Sequence, residues 1–138
     1  YNKKCGSFGD ISIFSFYPNK HITTGEGGMI LTDDEKVYNR CKSLRNLGFS
    51  SDPSKRFIHD ELGWNLRMTN IQAALGVAQL ERIDEFVTKK RWIGNMYQEL
   101  LSDIKSINLP IKQKDFAENI YWVFSITLKN SSYFSDSF

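Results

Sequence analysis

The chain has 138 residues, enough for about one domain, and its 41% hydrophobic and 14% aromatic content excludes a disordered composition. Eighteen Lys and Arg against sixteen Asp and Glu leave a net charge of +2, too little to hold nucleic acid or anionic lipid by electrostatics alone. No apolar run reaches the roughly 18 residues that a membrane span needs, and Tyr1-Asn2-Lys3-Lys4 leads into no signal-peptide core. Cys5 and Cys41 are too few for a disulfide framework, so a reducing, cytoplasmic setting is the expectation.

Residues 10–17 are β-branched and aromatic, with Ile11 and Ile13 on one side and Phe14 and Phe16 on the other. That load predicts a strand covered on both faces and stopped by Pro18. Residues 28–32 predict a second strand. The polar, glycine-bearing stretch between them is long for a connection, and long ordered loops often carry function. Thr32 and Glu35 fit a capping box for a helix with Val37, Cys41 and Leu44 on one face and Gly48 as its stop. Residues 49–62 are polar, contain Pro53 and predict a surface excursion.

Thr69 and Gln72 offer a second capping box, followed by Ile71, Leu75 and Ala78 at helical spacing. Gly76 sits inside that pattern at a cost of about 1 kcal/mol against Ala, which marks close packing by a neighbour. Helical character runs on through Trp92, Met96, Leu100 and Leu101. Pro110 marks a break, residues 120–128 predict another strand, and the last ten residues predict an edge or an unfinished element. The order of elements is α/β or α+β, with a domain boundary near residues 84–90. A closing strand without partners in the sequence suggests a piece of something larger.

The densest polar stretch is Ser15-Phe16-Tyr17-Pro18-Asn19-Lys20-His21-Ile22-Thr23-Thr24-Gly25-Glu26-Gly27-Gly28. Its backbone N–H groups could form an anion nest, with Ser15, Thr23 and Thr24 adding hydroxyl donors. Lys20 is either a solvated lysine in a turn or an amine held for a phosphate or a Schiff base. Gly25-Glu26-Gly27-Gly28 lacks the Lys and hydroxyl of a P-loop, and Gly6-Ser7-Phe8-Gly9 does not match a dinucleotide fingerprint. Cys5, His21, Cys41 and His59 lack compact ligand spacing, so no metal site is expected. Asn65 and Arg67 precede the second capped helix. Asn65 is a turn former or an amide donor to phosphate, and Arg67 is a loop-fixing ion pair or a fork for carboxylate or phosphate.

The segments Gly6-Ser7-Phe8-Gly9-Asp10, Phe14-Ser15-Phe16-Tyr17-Pro18-Asn19-Lys20, Thr24-Gly25-Glu26-Gly27-Gly28-Met29, Arg45-Asn46-Leu47-Gly48 and Gly63-Trp64-Asn65-Leu66-Arg67-Met68-Thr69-Asn70-Ile71-Gln72-Ala73-Ala74-Leu75-Gly76 recur in one order. Together with Gln79-Leu80-Glu81 they resemble the DegT/DnrJ/EryC1/StrS family of sugar aminotransferases, which depend on pyridoxal 5'-phosphate (PLP). The stretch around Trp64 to Ile71, with His59 ahead of it, is similar to the perosamine synthases within that family, which serve O-antigen sugars of lipopolysaccharide.

The resemblance implies an α/β chain, a segment of the aspartate-aminotransferase-like fold type I. Residues 1–84 would be the C-terminal part of a large cofactor-binding domain. Residues 85–138 would be a linking helix and the beginning of a small C-terminal domain. Lys20 falls on the lysine that forms the Schiff base with PLP and then moves the proton during transfer. Ser15 falls on the serine that binds the cofactor phosphate, and Asn65 on an asparagine that reaches the phosphate in the neighbouring subunit. The excursion places His59 near substrate, and Arg67 is a further substrate candidate. The implied reaction takes an amino group from glutamate to a nucleotide-linked 4-keto-6-deoxy sugar in a homodimer with shared sites. Relatives that act as dehydratases carry histidine where Lys20 stands, so Lys20 favours transamination over a dehydratase alternative. The aspartate that pairs with the pyridine nitrogen falls before Tyr1. A second alternative is therefore an inactive structural or interaction fragment.

Overall fold

The computed structural model describes residues 3–50, 52–55, 57–59 and 61–129. They divide into two compact units that part between Glu81 and Arg82.

The first unit begins with an antiparallel hairpin of β1 (Ser12–Ser15) and β2 (Gly28–Leu31), in the register Ser12 to Leu31 and Ser15 to Gly28. The expected first strand is shorter than residues 10–17 because Pro18 directs a tight turn: Lys20 N–H donates to the Tyr17 carbonyl at 3.0 Å, with Pro18 at the second position where its fixed φ fits. The expected cover on both faces is not supplied by the described residues. Ile13 is 79% exposed, and Phe14, Met29 and Ile30 are exposed as well.

The helix α1 spans Glu35–Leu44. Its cap is Asp34, not Thr32: the Asp34 carboxylate accepts from Lys36 N–H at 2.7 Å and Val37 N–H at 3.1 Å. A carboxylate is the stronger acceptor here and also complements the helix N-terminal dipole. Thr32 instead donates its hydroxyl to the Asp10 carbonyl at 2.7 Å, tying the end of β2 to the start of the hairpin. Gly48 lies beyond the last helical residue, yet its N–H returns to the Ser43 carbonyl at 2.9 Å and satisfies an orphan of the last turn.

Among its described residues the excursion holds a 3-10 turn, Pro53–Lys55, and a bridge, Phe49 to His59. It is pinned to α1 by an Arg40–Glu61 ion pair and by the Ser43 hydroxyl donating to Glu61 Oε1 at 3.3 Å.

The helix α2 spans Asn70–Leu80 and opens on the expected capping box: Thr69 Oγ1 accepts from Gln72 N–H at 3.2 Å, and Gln72 Oε1 accepts from Thr69 N–H at 2.9 Å. Gly76 is the close approach that its position predicts. A Cβ there would lie 2.9 Å from Thr24 Cγ2.

The second unit is organised by α3 (Ile83–Leu100), which carries the buried Gly94. The Tyr121 ring packs where a Cβ of Gly94 would stand, and Tyr121 is the buried apolar side chain among the described residues. Phe124 extends that cluster, with its ring centroid 5.1 Å from Tyr97 and 5.8 Å from Tyr121. Gln98 donates to the Pro110 carbonyl at 2.6 Å, and Arg91 pairs with Glu118 at 2.9 Å.

The strand expected over 120–128 is reduced to β6 (Thr127–Leu128), which pairs antiparallel with β3 (Ile107–Asn108). The cause is Tyr121, whose φ of +48° turns the chain so that its ring drops onto Gly94. Its N–H goes to Asn119 Oδ1 at 2.7 Å instead of to a ladder. A second short ladder joins β4 (Gln113–Lys114) and β5 (Ala117–Glu118). The expected edge element in the last ten residues lies outside the described residues, apart from Lys129. Among the described residues no helix is long and apolar enough to cross a membrane.

Candidate active site

The loop from Phe16 to Gly27 carries Lys20 and follows directly from Ser15 at the end of β1. Its base is closed by Phe16 N–H donating to the Gly27 carbonyl at 2.9 Å and Thr24 N–H donating to the Phe16 carbonyl at 3.1 Å. The threonine hydroxyls, expected as ligand donors, are spent inside the loop. Thr23 Oγ1 donates to the Phe16 carbonyl and Thr24 Oγ1 to the Glu26 carbonyl, both at 2.8 Å. Gly25 N–H donates to Thr23 Oγ1 at 3.0 Å, so the amides of Thr24 and Gly25 are also consumed. These hydroxyl protons and amides are therefore not open to an anion. Ser15 differs: its Oγ accepts from Tyr17 N–H at 3.3 Å, which leaves its own proton as a donor at the foot of the loop.

Two glutamines of α2 hold this loop, and the residue pattern gave them no such role. The Gln79 amide takes Thr23 from both sides, accepting its N–H at 3.1 Å and donating to its carbonyl at 2.7 Å. Gln72 Nε2 donates to the Glu26 carbonyl at 3.1 Å. Gln72, Gly76 and Gln79 stand at i, i+4 and i+7 on one helical face. The signal was in the sequence: two long amides flanking a glycine, a face that is polar only at its ends.

The second part of the site is the strip from Arg45 to Arg67. Trp64 N–H donates to the Leu44 carbonyl at 2.8 Å, Leu47 N–H to the Trp64 carbonyl at 3.0 Å, and Leu66 N–H to the Arg45 carbonyl at 2.9 Å. Asn46 and Asn65 are bridge partners. Arg67 then joins both side chains, with Nε donating to Asn65 Oδ1 at 2.9 Å and Nη1 to Asn46 Oδ1 at 3.0 Å. The expected alternative of a loop-fixing ion pair gives way to a fork on two neutral amides, and Asn46 is a partner that the sequence left without a role.

His59 is built into the excursion. Its ring lies 4.5 Å from that of Phe49, and Nδ1 sits 2.7 Å from the Leu47 carbonyl. A carbonyl only accepts, so Nδ1 carries a proton in this contact, and Nε2 is the ring nitrogen that it leaves unused. Within the same excursion, two hydrogen bonds from Ser54, hydroxyl first and backbone N–H second, hold the Asp52 carboxyl below the ordinary aspartate range. Among the described residues no group of three or more His, Cys, Asp or Glu side chains gathers for a metal.

A model of the DegT/DnrJ/EryC1/StrS aminotransferase family matches residues 1–137. The chain belongs to that family. GDP-perosamine synthase of Escherichia coli O157:H7 is 41% identical over 94% of this chain and 34% of its own length. The aminotransferase TlmJ from Streptoalloteichus hindustanus superposes with a TM-score of 0.82 at 26% identity, over 93% of this chain and 34% of that one. A GDP-4-keto-6-deoxymannose-3-dehydratase with a trapped PLP–glutamate geminal diamine superposes at 0.77 with 28% identity, over 94% and 37% of the two chains. Over this stretch the chain has the α/β architecture of the fold type I transferases. It spans about a third of the length of the relatives it matches.

Proposed function

We propose that the protein is a PLP-dependent aminotransferase that moves an amino group from glutamate to a nucleotide-linked 4-keto-6-deoxy sugar, with a perosamine-type product first among the candidates. The observation that carries it is an amine, Lys20, in a loop whose backbone is clamped at Thr23 and Glu26 by α2, in a chain of an aminotransferase family. A relative at 41% identity is a GDP-perosamine synthase, and Lys20 stands where the resemblance gives dehydratases a histidine, which supports transamination over dehydration.

The residues fit the cofactor. PLP is a dianionic phosphate joined to an aldehyde-bearing ring, and it needs donors for the one and an amine for the other. Ser15 keeps a hydroxyl proton, Asn65 keeps its amide NH₂, and no carboxylate neutralises Arg67 among the described residues. When bound, the cofactor supplies an electron sink for the carbanion formed at the transferring carbon. Lys20 would provide the amine that holds it and would hold or move a proton at that carbon. Ser15 of one subunit and Asn65 of the other would fix the phosphate and thereby the ring relative to Lys20. The outer guanidinium N–H groups of Arg67 and the Nε2 edge of His59 are offered to substrate. Residues 1–84 form the end of the large domain and 85–138 the linking helix and start of the small one, a division supported by the break between Glu81 and Arg82. The assembly is a homodimer with Asn65 serving the partner's site, which would also cover exposed apolar groups such as Ile71 at 85%.

Borohydride reduction of the intact protein loaded with PLP, followed by peptide mass spectrometry, tests the assignment. The irreversible adduct is expected on Lys20. An adduct on another lysine overturns it, and so does failure of the intact protein to consume glutamate with a keto sugar nucleotide.

A further inference from the structure

The three-residue cluster Asn46–Arg67–Asn65 has a property that none of its members has alone. An asparagine amide can present either its oxygen or its NH₂ to a ligand, and the two choices recognise opposite chemistry. Arg67 has donors and no acceptors. Its Nε and Nη1 hydrogens end on Asn65 Oδ1 at 2.9 Å and on Asn46 Oδ1 at 3.0 Å. Both amides are thereby held with their oxygens toward the guanidinium and their NH₂ groups turned away from it. The backbone bridge between Asn46 and Asn65 sets the two Cα atoms opposite one another, so one guanidinium reaches both. Among the described residues no carboxylate pairs with Arg67, so its charge stays unneutralised behind two outward-facing amide donors.

We propose that Arg67 is a positioning residue that locks the amide of Asn65 as a hydrogen-bond donor for an anionic phosphate, with Asn46 as the second anchor of the same fork. This deepens the proposed function and rests on Asn65 meeting the cofactor phosphate. The Arg67 fork removes the rotamer freedom and the wrong amide orientation before the phosphate arrives, so less is lost on binding. Lysine at the same place keeps the charge but has no planar fork to hold two oxygens at once.

The test compares the affinity of the intact protein for pyridoxal 5'-phosphate with that for pyridoxal, which lacks the phosphate, by equilibrium dialysis. A charge-assisted hydrogen bond of this kind corresponds to roughly tenfold in affinity. Asn65→Ala is expected to weaken the phosphate ligand about tenfold and leave pyridoxal unchanged. Arg67→Met and Arg67→Lys are expected to lose most of the same selectivity, and Asn46→Ala about half of it on a logarithmic scale. Adding Arg67→Met to Asn65→Ala is expected to cost little more, because the two act on one hydrogen bond.

Rescue by Arg67→Lys would mean that charge alone matters, and would overturn the proposal. Equal losses for pyridoxal and its phosphate would reduce Arg67 to a structural role and overturn it too. If Asn65→Ala loses phosphate selectivity while Arg67→Met keeps it, this inference fails and the proposed function stands. If Asn65→Ala itself changes nothing, the assignment of Asn65 fails and this inference with it.

Discussion

Between Phe16 and Gly27 the polar groups are turned inward: both threonine hydroxyls end on backbone carbonyls, and the Thr23 N–H and carbonyl end on Gln79. Between Arg45 and Arg67 the backbone of Arg45, Leu47, Trp64 and Leu66 is paired into a strip, but the amides of Asn46 and Asn65 have their NH₂ groups turned away from Arg67. The first stretch spends both threonine hydroxyls and the Thr23 peptide groups on holding one loop shape. The second holds a strip through its backbone and turns two amide NH₂ groups away from Arg67. A polar loop is therefore a poor guide to which of its groups stay open to a ligand, since polar side chains are closed into the scaffold in one stretch and held open in the other.

The clamp on the inward loop is open to direct attack. Gln79→Leu leaves the Thr23 N–H and carbonyl without partners in a half-buried place, a loss of about 3 kcal/mol in unfolding free energy. Denaturant unfolding of the intact protein checks it, and hydrogen exchange should show the Thr23 amide opening first. If exchange at Thr23 is unchanged, Gln79 is no clamp. Gln72→Ala is milder, about 1 kcal/mol, since it removes one arm of the capping box and one bond to the Glu26 carbonyl.

The contact at Gly76 sharpens the same point. Gly76→Ala gains helix propensity but drives a Cβ to 2.9 Å from Thr24 Cγ2, and the overlap is expected to win by about 1 kcal/mol net. Thr24→Ser keeps the hydroxyl bond to the Glu26 carbonyl and removes that methyl. In a protein already carrying Thr24→Ser, the Gly76→Ala change is therefore expected to stabilise rather than destabilise. A double-mutant cycle on melting temperature reads the coupling, and additivity would mean that the helix does not bear on the loop through this contact.

The smallest effect belongs to the outward stretch. Asp52 has its folded pKa held low by Ser54, so its contribution is complete above the unfolded aspartate value and is lost as pH falls through the folded one. Ser54→Ala removes the larger of the two hydrogen bonds and keeps the backbone one. The Asp52 titration, followed by NMR, should move part of the way up, with no change in neutral-pH activity. An unmoved titration would contradict the turn as described.

Much of this was legible from residue type and spacing. Thr69 and Gln72 announced α2, Gly76 announced a close neighbour, and the hairpin strands announced themselves through Ile13, Phe14 and Ile30. What failed did so for identifiable reasons. Thr32 and Asp34 were both eligible caps, and only the hydroxyl's distant partner, the Asp10 carbonyl, settles which one is free to cap. The run from Ile120 to Leu128 has strand composition, but Tyr121 is bent onto Gly94, a contact across the fold that no local pattern contains. The roles of Asn46 and Gln79 depend on contacts 21 and 56 residues away along the chain.

The sharing of the site between subunits is tested most directly by mixing two forms of the intact protein, the inactive Lys20→Ala and the cofactor-weakened Asn65→Ala, after dissociation and reassembly, at a cofactor concentration that leaves Asn65→Ala largely unloaded. If Asn65 serves the partner, each mixed dimer holds one site with both residues intact and one with both lost. Activity should then rise to about half that of the wild type per mixed dimer. If Asn65 serves its own subunit, every site in a mixed dimer carries one lesion. No rise above the Asn65→Ala protein, with mixed dimers verified by native mass spectrometry, would contradict the shared site.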